Sequence, residues 1–204
     1  YPELTRDDMM GILSVLLNKE KLDEFIKKQE IDFSYDFKGE NRFRCNAFFQ
    51  KGSISLAMRL IPKVKTLEEL RLPPIIAELT RKKQGFFLCV GSVGQGKSTT
   101  LAAMINLINN EEARHIITIE DPIEHIYTPN KAIIDQREVG IDTSAFHVAL
   151  KSTFREDVNV IMIGEMRNIE TIGTAVTAAE TGHLVLSTLH TNNASQAIDR
   201  IIDS

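Results

Sequence analysis

Hydrophobic spacing divides the chain into two regimes. In "LTRDDMMGILSVL", Met9, Ile12, Leu13 and Leu16 fall on one helical face, and Thr5 stands three residues before Asp8 in the pattern of a capping box. The spacing predicts a helix here and a second, shorter one through "KEKLDEFIKKQ". The period then falls to two, in "DFSYDF", in "RFRCNAFF" beyond the turn "KGEN", and in "SISLAMRLI" beyond "QKG". Phe43, Cys45, Ala47 and Phe49 alternate with Arg42, Arg44 and Asn46, while Ile54, Leu56, Met58 and Leu60 alternate with Ser53, Ser55, Ala57 and Arg59. All three arginines therefore point away from the core of a small helix-plus-antiparallel-sheet module ending near Pro62. Alternation alone leaves two readings of that face open: a solvated surface, or one that meets an anion.

"PKVKTLEELRLPP", punctuated by prolines, reads as a linker over 63–70 between a first domain, 1–62, and a second, 71–204. In the second domain the apolar runs "FFLCV", "HIITIE", "VNVIMIGE" and "HLVLSTLH" alternate with longer helical patterns such as "TTLAAMINLI" and "AFHVALKSTF". Strands alternating with helices imply an α/β domain with a parallel sheet and crossover connections.

Composition narrows the function classes. A chain of 204 residues buries a real core, and its net charge of −4 argues against a protein that coats nucleic acid or anionic lipid. Cys45 and Cys89 both lie in apolar or alternating runs and read as free thiols in a reducing compartment. With no membrane-length apolar run and no leader pattern at its start, the chain is expected to be cytoplasmic. It does not start with Met and stops at "RIIDS" inside a helical pattern, so it is expected to be a piece at both ends.

The chemistry centres on one loop. Gly91, Gly96, Lys97 and Ser98 fit G-x-x-x-x-G-K-[ST], with Ser92, Val93, Gly94 and Gln95 between the glycines and Thr99 following. The loop follows a strand pattern and opens a helical one, the arrangement in which backbone N–H groups and a helix N-terminus converge on phosphates. Lys97 is expected to reach the β- and γ-phosphates and Ser98 to ligate Mg²⁺. "NKAI" from Asn130 lacks the Asp of N-K-x-D, which argues for ATP rather than GTP. Hydrolysis also needs an acid to position water. Glu165 ends "VIMIGE" where many phosphate-loop proteins carry Asp then Glu, but here Gly164 precedes it. Glu120 and Asp121 end "HIITIE", and Glu120 is expected to help hold Mg²⁺ through water. His183 and His190 flank "LVLSTL" and are expected to face the same crevice.

Four motifs thus stand in one order: "GSVGQGKST", "TIEDPIEH", "VIMIGEMRN" and "TGHLVLSTLHTNNA". Together they resemble the secretion and pilus superfamily of ATPases, and within it the retraction ATPases of type IV pili that drive twitching motility. The resemblance implies a PAS-like N-terminal domain joined to a RecA-like ATPase domain, assembled as a homo-hexameric ring. It implies Glu120 as the essential acid of an Asp box, Glu165 as catalytic base, and His183 and His190 as a His box. Arg44 and Arg59 match arginines that such an N-terminal domain directs at the nucleotide, which favours the anion-meeting reading of their sheet face. It further implies a partner in the inner-membrane platform of a pilus machine, peripheral contact at the cytoplasmic face of that membrane, and no direct nucleic-acid contact. Asn159 and Asn168 stand where the family commonly has Asp. Pilus-extension and type II secretion motors share these motifs. A DNA-translocating motor and a non-hydrolysing nucleotide switch are the readings from other classes.

Overall fold

In the computed structural model, which describes residues 3–39, 41–191 and 193–202, the chain forms two compact units, Tyr1–Pro62 and Lys63–Ser204. Glu40 of the expected turn and Asn192 of the last motif lie outside the described residues.

The first unit opens with α1 (Arg6–Leu16), whose N-terminus carries the full capping box: Asp8 N donates to Thr5 Oγ1 at 3.2 Å and Thr5 N donates to Asp8 Oδ2 at 2.8 Å. α2 (Lys19–Lys28) is capped by Asn18, whose Oδ1 accepts from Lys21 N. Three strands follow, β1 (Glu30–Phe37), β2 (Asn41–Gln50) and β3 (Ser53–Ile61), paired antiparallel in that order. Leu13, Phe25, Phe33, Cys45, Ala47 and Ile54 form the core between helices and sheet. The alternation read along β3 holds only for its first half. Ile54 is buried, but Met58 and Leu60 are 43% and 52% exposed, because this unit's core ends at Leu56. Across β2 and β3, Arg44 stands directly opposite Arg59, both exposed.

The second unit is α/β. α3 (Ile75–Thr80) precedes β4 (Gly85–Val90), α4 (Lys97–Glu111), β5 (His115–Glu120), β6 (Ile133–Glu138), α5 (Phe146–Thr153), β7 (Val160–Ile163), α6 (Ile169–Glu180), β8 (Leu184–Leu189) and α7 (Ala194–Ile202). The sheet is wholly parallel, in the order β4-β8-β7-β5-β6. Strands covered on both faces read as continuous apolar runs, and β7 and β8 are buried at every position. One core packs α4 against the sheet and includes Leu101, Met104, Ile105, Ile116 and Leu186. The other packs α5 and α6 on the opposite face, through Leu150, Ile161, Ile163, Ile172 and Val185. Residues 63–70, read as a linker, pack on this unit: Leu67 is buried in the α4-side core, with Val64 and Leu70 against it.

β6 has no counterpart in the hydrophobic pattern. "IIDQRE" is an edge strand with two apolar residues, held by its pairing with β5 from Ile133 to Glu138. Where the resemblance leads one to expect Asp, the two asparagines keep the acceptor. Asn159 Oδ1 accepts from His115 N at 2.8 Å, and Asn168 caps α6 by accepting from Thr171 N at 2.9 Å.

Candidate nucleotide site

Because every strand of the sheet runs the same way, the four motif loops are brought to one rim. The phosphate loop leaves β4, His190 follows β8, Glu165 follows β7, and Glu120 ends β5. Those strands are successive neighbours, about 4.8 Å apart, so the rim presents the loop, the imidazole and the two acidic strand ends in that order. The crevice beyond the carboxyl ends of parallel strands is where such folds bind ligands.

Gly96 begins α4 in the left-handed region (φ 83°), and Gly94 has φ 81°, conformations that a Cβ would strain. The first turn of α4 contains no acidic residue and no side chain caps it, so its leading N–H groups and the positive end of the helix are left to a ligand. Lys97 is 9% exposed, and its Nζ donates to Gly91 O and Ser92 O, each at 2.9 Å. The ammonium thus sits inside the curve of the loop with a third N–H to spend. Ser92, Val93, Gly94, Gln95 and Ser98 are exposed, while Thr99 is partly covered. This cradle fits a polyphosphate.

Among the described residues there is no cluster of three or more His, Cys, Asp or Glu able to hold a metal ion. Ser98 is the exposed hydroxyl in the loop, an oxygen donor of the kind Mg²⁺ takes beside phosphate oxygens and water.

Glu165 is set by its neighbours' backbone. Gly164 N donates to Ile119 O, and Gly164 O accepts from Thr188 Oγ1 at 2.7 Å; Met166 N donates to Thr188 O. Ser187 Oγ donates to Ile163 O at 2.9 Å one residue earlier. The hydroxyls of "LVLSTL" are therefore site-building groups that its apolar pattern concealed. The Glu165 side chain is 18% exposed; Arg167 Nη2 meets Oε1 at 2.5 Å, and His190 Nε2 lies 3.7 Å from Oε2.

Two expected site residues are placed otherwise. Glu120 ends β5 at the rim but turns inward and is 5% exposed. Its Oε1 accepts from Thr118 Oγ1 at 2.8 Å and its Oε2 from Glu124 N at 3.1 Å. Burial pushes its pKa up to about 7 against the opposing hydrogen bonds from Thr118, Glu124 N–H and Gln136. Both of its oxygens are thus engaged by groups of the chain itself. What it holds is the loop that follows. Gln136 shares the work, accepting from Tyr127 N and donating to His125 O, and Glu138 Oε2 accepts from Ile123 N. On that loop Asp121 is exposed and Glu124 partly exposed.

His183 is the second case. It precedes β8 whereas His190 follows it, so the two lie about 23 Å apart along a strand rising ~3.3 Å per residue. His183 belongs to the opposite rim, where Nδ1 pairs with Ala178 O at 2.9 Å and the ring meets Phe154 edge-on. The two histidines do not share a crevice within this chain, because a strand between two residues separates them by its own length.

A glycine-rich loop between strand and helix, on the carboxyl rim of a parallel sheet with an acid one strand over from its neighbour, defines a RecA-like phosphate-loop ATPase fold. A family model described as "Type II/IV secretion system protein" matches residues 72–203, and the chain belongs to that family. It is 48% identical over 202 residues to the type IV pilus ATPase PilU of Pseudomonas aeruginosa, covering 98% of this chain and 52% of the relative. To the type IV pilus retraction ATPase PilT of the same organism it is 44% identical over 203 residues, covering 99% and 59%. A crystal structure of the pilus retraction motor PilT with bound ADP superposes with a TM-score of 0.95 at 45% identity, covering all of this chain and 60% of that one. The chain thus spans between half and two thirds of the length of these relatives.

Proposed function

We propose that this chain is the nucleotide-hydrolysing part of a type IV pilus retraction motor. The observation that carries the reading is the phosphate loop and Glu165 on one rim, two strand positions apart. ATP lies with its phosphates on the N–H groups that open α4, and Lys97 turns from the Gly91 and Ser92 carbonyls to the β- and γ-phosphates. Ser98 is the residue that would hold Mg²⁺, whose chemistry there is to offset phosphate charge. Glu165 takes a proton from water as its oxygen attacks the γ-phosphorus and the bond to ADP breaks, giving ADP and phosphate. His190 stands against the other oxygen of Glu165, and Glu124, on the loop fastened by Glu120, is read as a second acid of the site.

The first unit is read as a PAS-like domain and the second as the ATPase domain. Arg44 and Arg59, facing one another across β2 and β3, are read as the pair that brings positive charge to the transferred phosphoryl of a neighbouring subunit in a homo-hexameric ring. Such an arginine is worth about 10³–10⁵ in rate. The ring is read as working on the inner-membrane platform of a pilus machine from its cytoplasmic face. No helix among the described residues is long and apolar enough to cross a membrane, which is compatible with peripheral docking.

The test is ATPase rate against protein concentration for the full-length protein, wild type beside Glu165→Gln. A per-subunit rate that rises with concentration and collapses in the variant supports both the base and the shared site. A rate independent of concentration that survives the substitution overturns both.

A further inference from the structure

In the segment joining β7 to α6, Met166 is buried, packed into the core on the α5 and α6 side. Glu165 and Arg167, on either side of it, meet, with Arg167 Nη2 at 2.5 Å from Glu165 Oε1. The Arg167 side chain is itself 67% exposed. A pair so open to water contributes little to folding, and Met166 together with the Asn168 cap of α6 already fixes the backbone on either side.

The pair does constrain the carboxylate. Glu165 has three side-chain torsions, and without a partner at one oxygen both oxygens rotate freely between loop and solvent. Arg167 holds Oε1, leaving Oε2 toward His190, 3.7 Å away. We propose that Arg167 is a positioning residue for hydrolysis, one that orients the Glu165 carboxylate; this rests on reading Glu165 as the general base. The titratable groups facing the pair are His190, from the end of β8, and Asp121, from the loop after β5. The hydrogen bond to Glu165 is the main support for the Arg167 charge, with Glu165's own charge and then Asp121 adding to it. Arg167 therefore lies between acids from two neighbouring strand ends and bonds the one on which the chemistry depends.

The experiment compares wild type, Arg167→Ala, Arg167→Lys and Glu165→Gln in the full-length protein, measuring kcat and KM for ATP together with Tm. Arg167→Ala lowers kcat by about ten-fold and leaves KM within about two-fold, because the phosphate loop is untouched. Tm is unchanged, because so exposed a pair contributes little to folding. Arg167→Lys recovers only part of kcat, as a point charge replaces a planar fork. An Arg167→Ala protein with the wild-type kcat overturns the inference, and so does one in which a lowered Tm accompanies losses in both kcat and KM. Glu165→Gln separates the two levels. If that variant still turns over, the reading of Glu165 as base fails. If it is inactive while Arg167→Ala keeps the wild-type kcat, only the role of Arg167 fails.

Discussion

Glu124 is held by Glu120: the backbone N–H of Glu124 donates to the buried Glu120 carboxylate at 3.1 Å, so the inner acid of "EDPIE" fixes the chain that carries the outer one. The two carboxylates share a motif and differ in surroundings: Glu120 is enclosed and acts as a fastening, while Glu124 is partly exposed.

This division gives Glu120 a pH signature. Its pKa rises from 4.5 to about 7 on folding, because burial penalises the charged form. The folded state is therefore favoured while Glu120 is protonated, and that advantage is fully present below pH 4.5 and lost as pH rises to about 7. At one unit per 1.36 kcal/mol the loss is on the order of 3 kcal/mol. Glu120→Gln stays neutral throughout, so the stability of wild type relative to the variant falls across that window. Urea unfolding at pH 5 and pH 8 measures it; parallel curves for the two proteins contradict the assignment.

The start of α4 makes its own demand. Gly96→Ala forces a side chain into the left-handed region and is expected to destabilise the protein by about 1–2 kcal/mol. It also weakens binding of a fluorescent ATP analogue, because relief of the strain turns the leading N–H groups away from the phosphates. Calorimetry and titration on one sample show whether the two losses occur together.

Thr188→Val keeps shape but removes the donor to the part-buried Gly164 O, at a cost of about 1 kcal/mol. Since that bond fixes the residue before Glu165, kcat falls while KM for ATP holds. Steady-state kinetics alongside chemical denaturation separates this from general loosening, in which both constants would worsen.

The two histidines separate by assay. His183→Gln loses the bond to Ala178 O and the edge contact with Phe154. It is expected to cost about 1 kcal/mol of stability with nucleotide affinity unchanged. His190→Gln is expected to lower turnover with little effect on Tm. The reverse pattern in differential scanning fluorimetry and ATPase assay would show that the distance along β8 does not separate their roles.

Much of this was readable before any coordinates. The phosphate loop declares itself because strand, glycines, lysine and helix are contiguous, and the parallel sheet follows from apolar runs alternating with helical spacing. What stayed hidden depends on partners distant in sequence. Whether Glu120 faces in or out is decided by Thr118, Glu124 and Gln136 together. The edge strand β6 owes its conformation to β5 rather than to its own mostly polar residues. Ser187 and Thr188 look like polar interruptions of an apolar strand until the carbonyls beyond β7 are seen to need donors. The separation of His183 from His190 required knowing that six residues of strand form a spacer rather than the lining of a cleft.

Asn109, near the far end of α4, is buried and holds three points of the segment after the acidic loop: its Nδ2 donates to Thr128 O, its Oδ1 accepts from Asn130 N, and its carbonyl accepts from Lys131 N. The helix that begins at the phosphate loop is about 22 Å long at 1.5 Å per residue, and it is thereby bolted to residues 128–131. It has the build of a lever arm. A tilt of about 5° at its phosphate-loop end would carry the other end through about 2 Å, and the attached segment would travel with it. A movement begun at the phosphate loop would therefore leave the rim along a rigid rod and emerge on the far side of the unit.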